Sequence, residues 1–132
     1  MTIRPFQPAD LARVREIQMA SPEASQWGVD GYQCIVIGES CVMGFLLSRQ
    51  LAPDEHELLN IAVHPQARRQ GHARQLLQHA LKQSPGSWYL EVRKSNSAAR
   101  RLYEAVGFQV CGHRPAYYHN PPETGIVMKF VS

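Results

Sequence analysis

Residues 60–108 read NIAVHPQARRQGHARQLLQHALKQSPGSWYLEVRKSNSAARRLYEAVGF. The apolar run that ends at Val63 predicts a strand in the middle of a sheet, and Pro65 closes it because proline has no N–H to give to a ladder. From Gly71 to Gln83, residues Ala73, Leu76, Leu77, Ala80 and Leu81 fall on one helical face, and Ser84, Pro85 and Gly86 end the helix. Trp88 to Arg93 predicts a second strand. Asn96 to Val106 predicts a second amphipathic helix, stopped by Gly107 where a left-handed residue is favoured. This order predicts an α/β (α+β) architecture: a mixed, mostly antiparallel sheet flanked by helices, with residues 1–132 forming one domain.

Upstream, Thr2 to Phe6 predicts a short strand, and Asp10 is placed to N-cap a helix carrying Leu11, Val14 and Ile17 on its apolar face. Ser21 to Gly31 has weak periodicity and reads as a loop or broken helix suited to substrate contacts. Gln33 to Ile37 and Cys41 to Ser48 form a hairpin around Gly38, Glu39 and Ser40, and Leu51 to Glu55 turns into the strand Leu58 to Val63. Downstream, Phe108 to His113 and Gly125 to Phe130 are the final strand pair, joined by a loop through Tyr117, Tyr118, Pro121 and Pro122.

With 132 residues and 44% hydrophobic content, the chain can bury one core but is too short for two domains. No apolar run matches a membrane span, and MTIRPFQPADL carries an acid and no apolar stretch, so no secretory signal and a cytoplasmic location are expected. Cys34, Cys41 and Cys111 are an odd set without a C-x-x-C, which predicts buried or partly buried free thiols. The six histidines lack helical metal-ligand spacing, so no metal site is expected. Net charge is +3, but from Arg68 to Arg101 eight lysines and arginines face a single acid, Glu91. Such an excess favours an anionic partner. Aromatics are not interleaved with it, so a compact phosphate ligand fits better than nucleic acid.

The turn Arg68 to Arg74 joins a buried strand to a helix. Free N–H groups at a helix start, the positive end of the helix dipole, the close backbone approach that Gly71 permits and the arginines together suit a pyrophosphate. It lacks the G-x-x-x-x-G-K-[ST] string of nucleotide hydrolases. Strand alternation puts Tyr89, Glu91 and Arg93 on one face. Each further element has a structural explanation of its own: Glu91 as a solvated strand charge, Asn96 as a helix cap, Tyr103 as core.

Together, the string LEVRKSNSAARRLYEAVGF and the turn RRQGHA resemble the GNAT superfamily of acetyl-coenzyme A dependent N-acetyltransferases. The turn fits that family's Q/R-x-x-G-x-G/A signature, with Ala73 where glycine is common. Within the family, the chain is most similar to the branch that acetylates the N-terminal alanine of a small-subunit ribosomal protein. The similarity extends more loosely to RPAYYHNPPETGIVMKF, and SPEASQWGVDGYQ is shorter than the segment usual in that branch.

The resemblance implies that acetyl-CoA is the acyl donor, with no metal, and that the acceptor is the N-terminal peptide of a ribosomal protein. Ile61, Ala62 and Val63 would offer backbone to the acetyl and pantetheine end of acetyl-CoA, with an N–H near Val63 polarising the thioester carbonyl. Arg69, Gln70, Gly71, His72, Ala73 and Arg74 would wrap the pyrophosphate, and Asn96 would contact the cofactor further along. Glu91 would be the general base and Tyr103 the general acid. Glu57, on the strand leading to Asn60, is a rival base, and Tyr117 and Tyr118 would flank the acceptor. Two other functions suit the same features: acetylation of a lysine or small amine, and noncatalytic binding of acyl-CoA or the ribosome.

Overall fold

The computed structural model describes residues 2–21, 31–118 and 122–131. Its strands are β1 (Thr2–Pro5), β2 (Gln33–Gly38), β3 (Val42–Ala52), β4 (Glu55–Val63), β5 (Ser87–Arg93), β6 (Gln109–Tyr118) and β7 (Glu123–Val131). Its helices are α1 (Leu11–Met19), α2 (His72–Gln83) and α3 (Ser97–Val106), with single 3-10 turns at Pro8–Asp10 and Pro65–Ala67. The sheet runs in the order β1-β2-β3-β4-β5-β7-β6. Its β4–β5 pair is parallel, while the β1–β2, β2–β3, β5–β7 and β6–β7 pairs are antiparallel. The expected mixed, mostly antiparallel α/β class is therefore observed.

Two compact units are distinguished by their internal packing: Met1–Arg49 with Leu58–Gln83, and Gln50–Glu57 with Ser84–Ser132. In the first, Val14 and Ile17 of α1 are wholly buried against Val36, Val42, Phe45, Leu47 and Ala62 of the sheet. Leu76, Leu77, Ala80 and Leu81 make the buried face of α2, as their helical spacing requires. In the second, Trp88, Leu90 and Val92 alternate inward along β5, and Phe108 packs between Tyr103 and Phe130 at ring distances of 5.9 and 5.6 Å. Gly107 reverses the chain between α3 and Phe108 at φ 121°, with its N–H bonded to the Tyr103 and Glu104 carbonyls.

Several sequence expectations are corrected. Strand β4 begins at Glu55 rather than Leu58, because the Pro53–Asp54 turn is tight enough for pairing to resume at once. Strand β6 continues through Tyr117 and Tyr118 instead of ending at His113. It is the last strand of the sheet, where Pro115 needs no outward ladder partner, and a register shift between Arg114 and Tyr118 absorbs the irregularity. Cys34 is partly buried, with its thiol pushed up to about 12 mainly by burial, but Cys41 and Cys111 are exposed, one at the hairpin and one on the end strand. The substrate-contact segment expected at Ser21 to Gly31 lies, from 22 to 30, outside the described residues, as does Pro121.

Asp10 does not cap α1 with its side chain. Its carboxylate instead accepts from Arg4 Nη1 at 2.8 Å, Arg4 Nη2 at 2.9 Å and the Gln7 N–H at 2.8 Å. A bidentate guanidinium outcompetes one helical N–H. The Arg4 bonds hold the Asp10 carboxyl below the usual carboxylate range. A depressed carboxylate contributes stability that is present above its unfolded value, about 3.9, and lost as pH falls through the folded one. Arg4→Gln is expected to flatten the acid side of the stability curve below about pH 4. Urea midpoints across pH check this, and an unchanged acid slope contradicts it.

Candidate functional site

In the first unit, β4 delivers Ile61, Ala62 and Val63 to the start of a compact turn. The His64 N–H bonds to Met43 O at 2.7 Å, and the Ala67 N–H to His64 O at 2.8 Å. A Cβ on Gly44 would stand 3.1 Å from Ala62 O and 3.3 Å from Val63 Cγ2, so β3 packs tightly beside this segment. Arg68 is spent on structure: its Nε donates to Val63 O at 3.2 Å, and its Nη2 to Ala20 O and Ser21 Oγ at 3.2 and 3.1 Å. Arg69 and Arg74, exposed like Arg68, are the other cations of the turn.

Two left-handed residues shape the turn, Arg69 at φ 65° and Gly71 at φ 81°. Nothing lies within 4 Å of where a Gly71 Cβ would be, so space is open beside the backbone there. Helix α2 follows at once, and the N–H groups of its first turn have no partner within the helix. Gln70 is exposed and Ala73 half-buried. His72 is only 4% exposed, and its Nδ1 lies 3.0 Å from Ala67 O. A carbonyl can only accept, so Nδ1 carries the proton and His72 braces the turn from behind. The first amides of the helix, its positive end and the exposed arginines make a cradle whose donors suit a pyrophosphate.

In the second unit, the pleat of β5 sends Glu91 away from the core residues Leu90 and Val92. Glu91 Oε1 takes an ion pair from Arg114 Nε at 3.1 Å, whereas Oε2 is buried and takes no hydrogen bond among the described residues. Burial raises the Glu91 carboxyl above its ordinary value; Arg114 opposes this and Glu57 adds to it. Arg114 also lies over the ring of Tyr117, at 5.2 Å, and Tyr117 meets Tyr118 edge-on at 5.1 Å. Arg93 covers Tyr118 at 4.6 Å and pairs with Glu123 at 3.3 Å. Burial and the nearby Glu91 push the Tyr118 phenol up to about 12.

Tyr103 is 7% exposed on the inner face of α3, and burial, with Tyr118 adding to it, raises its phenol. Asn96 Oδ1 caps α3 by accepting from the Ala99 N–H at 3.2 Å, leaving the amide NH2 as the end it can offer a ligand. Strand pairing, then, groups Glu91 with Arg114, Tyr117 and Tyr118, and folds Glu57 into the same electrostatic neighbourhood.

A family model described as "Acetyltransferase (GNAT) family" matches residues 4–108. The chain belongs to the GNAT family of acetyltransferases. It is 45% identical over 73 residues to the [ribosomal protein bS18]-alanine N-acetyltransferase of Escherichia coli K12, covering 52% of this chain and 49% of that protein. The corresponding Haemophilus ducreyi protein is 35% identical over 94 residues, 66% of this chain and 64% of that one. The chain spans about half the length of the first of these curated relatives. Among solved structures, the ribosomal-protein-S18-alanine N-acetyltransferase from Escherichia coli superposes with a TM-score of 0.82 at 28% identity, over 98% of this chain and 92% of that one.

Sequence reasoning missed Arg114, which approaches Glu91 only through strand pairing across β7. It also left His72 without a structural part, although a histidine at the buried first position of α2 was a legible signal. His72→Leu keeps most of the volume but strands the Ala67 carbonyl, at an expected cost of about 1–3 kcal/mol. Urea unfolding measures that loss. Hydrogen exchange should show faster opening of the Arg69 to Gly71 amides, and unaltered exchange there would count against the brace.

Proposed function

We propose that this GNAT chain transfers the acetyl group of acetyl-CoA to the N-terminal α-amine of a protein. The acceptor class follows the relatives whose names specify it: the N-terminal alanine of a small-subunit ribosomal protein. Residues 1–132 then act as one acetyltransferase domain, in the cytoplasm. Among the described residues no helix is long and apolar enough to cross a membrane. The observation that carries the proposal is Glu91, a shielded carboxylate with one oxygen paired and the other buried without a partner among the described residues.

Acetyl-CoA supplies an activated thioester and a pyrophosphate handle. The open backbone at Gly71, the first amides of α2 and the exposed Arg69 and Arg74 fit that handle, with Gln70, His72 and Ala73 contributing main chain. Ile61, Ala62 and Val63 serve the acyl end and Asn96 adds a side-chain amide. Glu91 receives the proton of the acceptor amine. A free α-amine has a pKa of about 8, and a carboxyl raised by burial stands closer to it than an ordinary glutamate does.

Tyr103 would serve the departing sulfur. A thiol of this kind has a pKa of about 8.5, far below a phenol raised by burial, so complete proton transfer from the resting tyrosine is uphill. Its hydroxyl contributes first as a hydrogen-bond donor that is protonated at every working pH. Direct transfer also needs no enzyme nucleophile.

Glu91→Gln is expected to lower kcat by about 10²–10⁴-fold with acetyl-CoA affinity kept, and Tyr103→Phe to lower it by a smaller factor, the loss of one donor. Steady-state rates and calorimetric binding check both. Wild-type turnover in the two variants would remove the catalytic assignment. An alanine-started peptide should be acetylated and its N-blocked, lysine-containing counterpart should not; the reverse preference would move the acceptor to a side-chain amine.

A further inference from the structure

We propose that Arg114 is the positioning residue of this site: its guanidinium holds Oε1 of Glu91 and fixes the orientation in which that carboxylate meets the acceptor amine. This rests on the reading of Glu91 as the base. A carboxylate has two equivalent oxygens and turns easily about its terminal bond. Arg114 breaks that equivalence. Its Nε reaches Oε1 at 3.1 Å, and its guanidinium is held in turn by the Tyr117 ring at 5.2 Å. Among the described residues the other oxygen, Oε2, is buried without a hydrogen bond, a costly state for a carboxylate.

The pair has little weight as a stabilising contact. Arg114 is 58% exposed and Glu91 18%, and such half-exposed pairs contribute little to folding. Its effect falls on Glu91, where it holds the carboxylate charged against burial. Several groups share the neighbourhood. Glu57 comes from β4, and Tyr89 and Arg93 from β5, with Lys129 of β7 over the Tyr89 ring at 5.3 Å. Tyr117 and Tyr118 come from β6, and Tyr103 of α3 interacts with Tyr118. Arg93 lies over Tyr118 and pairs with Glu123, while Arg114 makes the ion pair with Glu91.

With Arg114→Gln, burial and Glu57 act unopposed and the Glu91 carboxyl rises further. The charged base then appears only at higher pH. The enzyme's own acid break in kcat/KM should move up by about one pH unit. Rates well below the break should fall about tenfold, rates above it should hold, and acetyl-CoA affinity should not change. Arg114→Lys, which keeps the charge, should return most of the break. Carbon-13 NMR titration of the glutamate carboxyls, with the Glu91 signal assigned by its loss in Glu91→Gln, reads the same shift without turnover.

The controls separate two failures. If Glu91→Gln keeps the wild-type rate and break, Glu91 is not the base and the underlying reading fails. If Glu91→Gln is inactive but Arg114→Gln leaves both the break and the Glu91 titration in place, only the role of Arg114 is overturned. That role is overturned as well if Arg114→Lys restores nothing, because packing against Tyr117 would then account for the loss.

Discussion

The two-residue pleat of β4 and β5 is the constraint on which both units depend. Every second residue of Glu55–Val63 and of Ser87–Arg93 is buried, and the residues between them turn the other way. A slip of one residue would send Glu91 into the core and bring Leu90 out. Burial of Trp88, Leu90 and Val92 prevents that slip, because moving three large apolar side chains into water would cost several kcal/mol. Trp88 adds a directional lock, with its Nε1–H on Ser84 O at 2.8 Å and its ring stacked on His56 at 4.9 Å. The position of a chemical group is thus enforced by residues that take no part in its chemistry.

The two units solve opposite electrostatic problems. The turn at Arg69 to Gly71 presents positive charge through the backbone, so its left-handed residues and the His72 brace matter more than any one side chain. The Glu91 face holds a carboxylate in a half-buried place. It does so with alternating partners, Arg114 between Glu91 and Tyr117, then Arg93 between Tyr118 and Glu123. Glu123 is secured further by the Ser95 N–H, and its carboxyl is held below the usual range. Cations laid on aromatic faces keep their charge while losing freedom of movement, which suits a site that has to hold one geometry.

Elements with their own local signal were legible. The pleat of β5, the apolar face of α2, the Asn96 cap and the Gly107 stop each follow from spacing or from one residue's conformational preference, and each is observed. What escaped depends on partners distant in sequence. Asp10 read as a cap because local rules reward an acid before a helix, but Arg4 arrives from the neighbouring strand with two hydrogen bonds. Strand β6 read as ending at His113, whereas it runs on past Pro115, which its place at the end of the sheet makes harmless. Arg114 carried no motif, and its meaning comes from register alone.

That register also explains why the late tyrosines stand where they do. Arg93, Gly125 and Arg114 form one row across β5, β7 and β6. A Cβ on Gly125 would lie 3.3–3.4 Å from the side chains of Tyr117 and Tyr118, tighter than ordinary contact for the closest atom. The missing side chain gives the two rings room over the middle strand, and the register shift between Arg114 and Tyr118 turns the chain toward them. Had β6 stayed regular, alternation would have sent Tyr117 and Tyr118 to opposite faces, leaving only one of them able to meet a guanidinium on the side of Glu91. A glycine and an irregular step in the ladder therefore do for the aromatic wall what the pleat does for Glu91: they convert backbone geometry into the placement of charge.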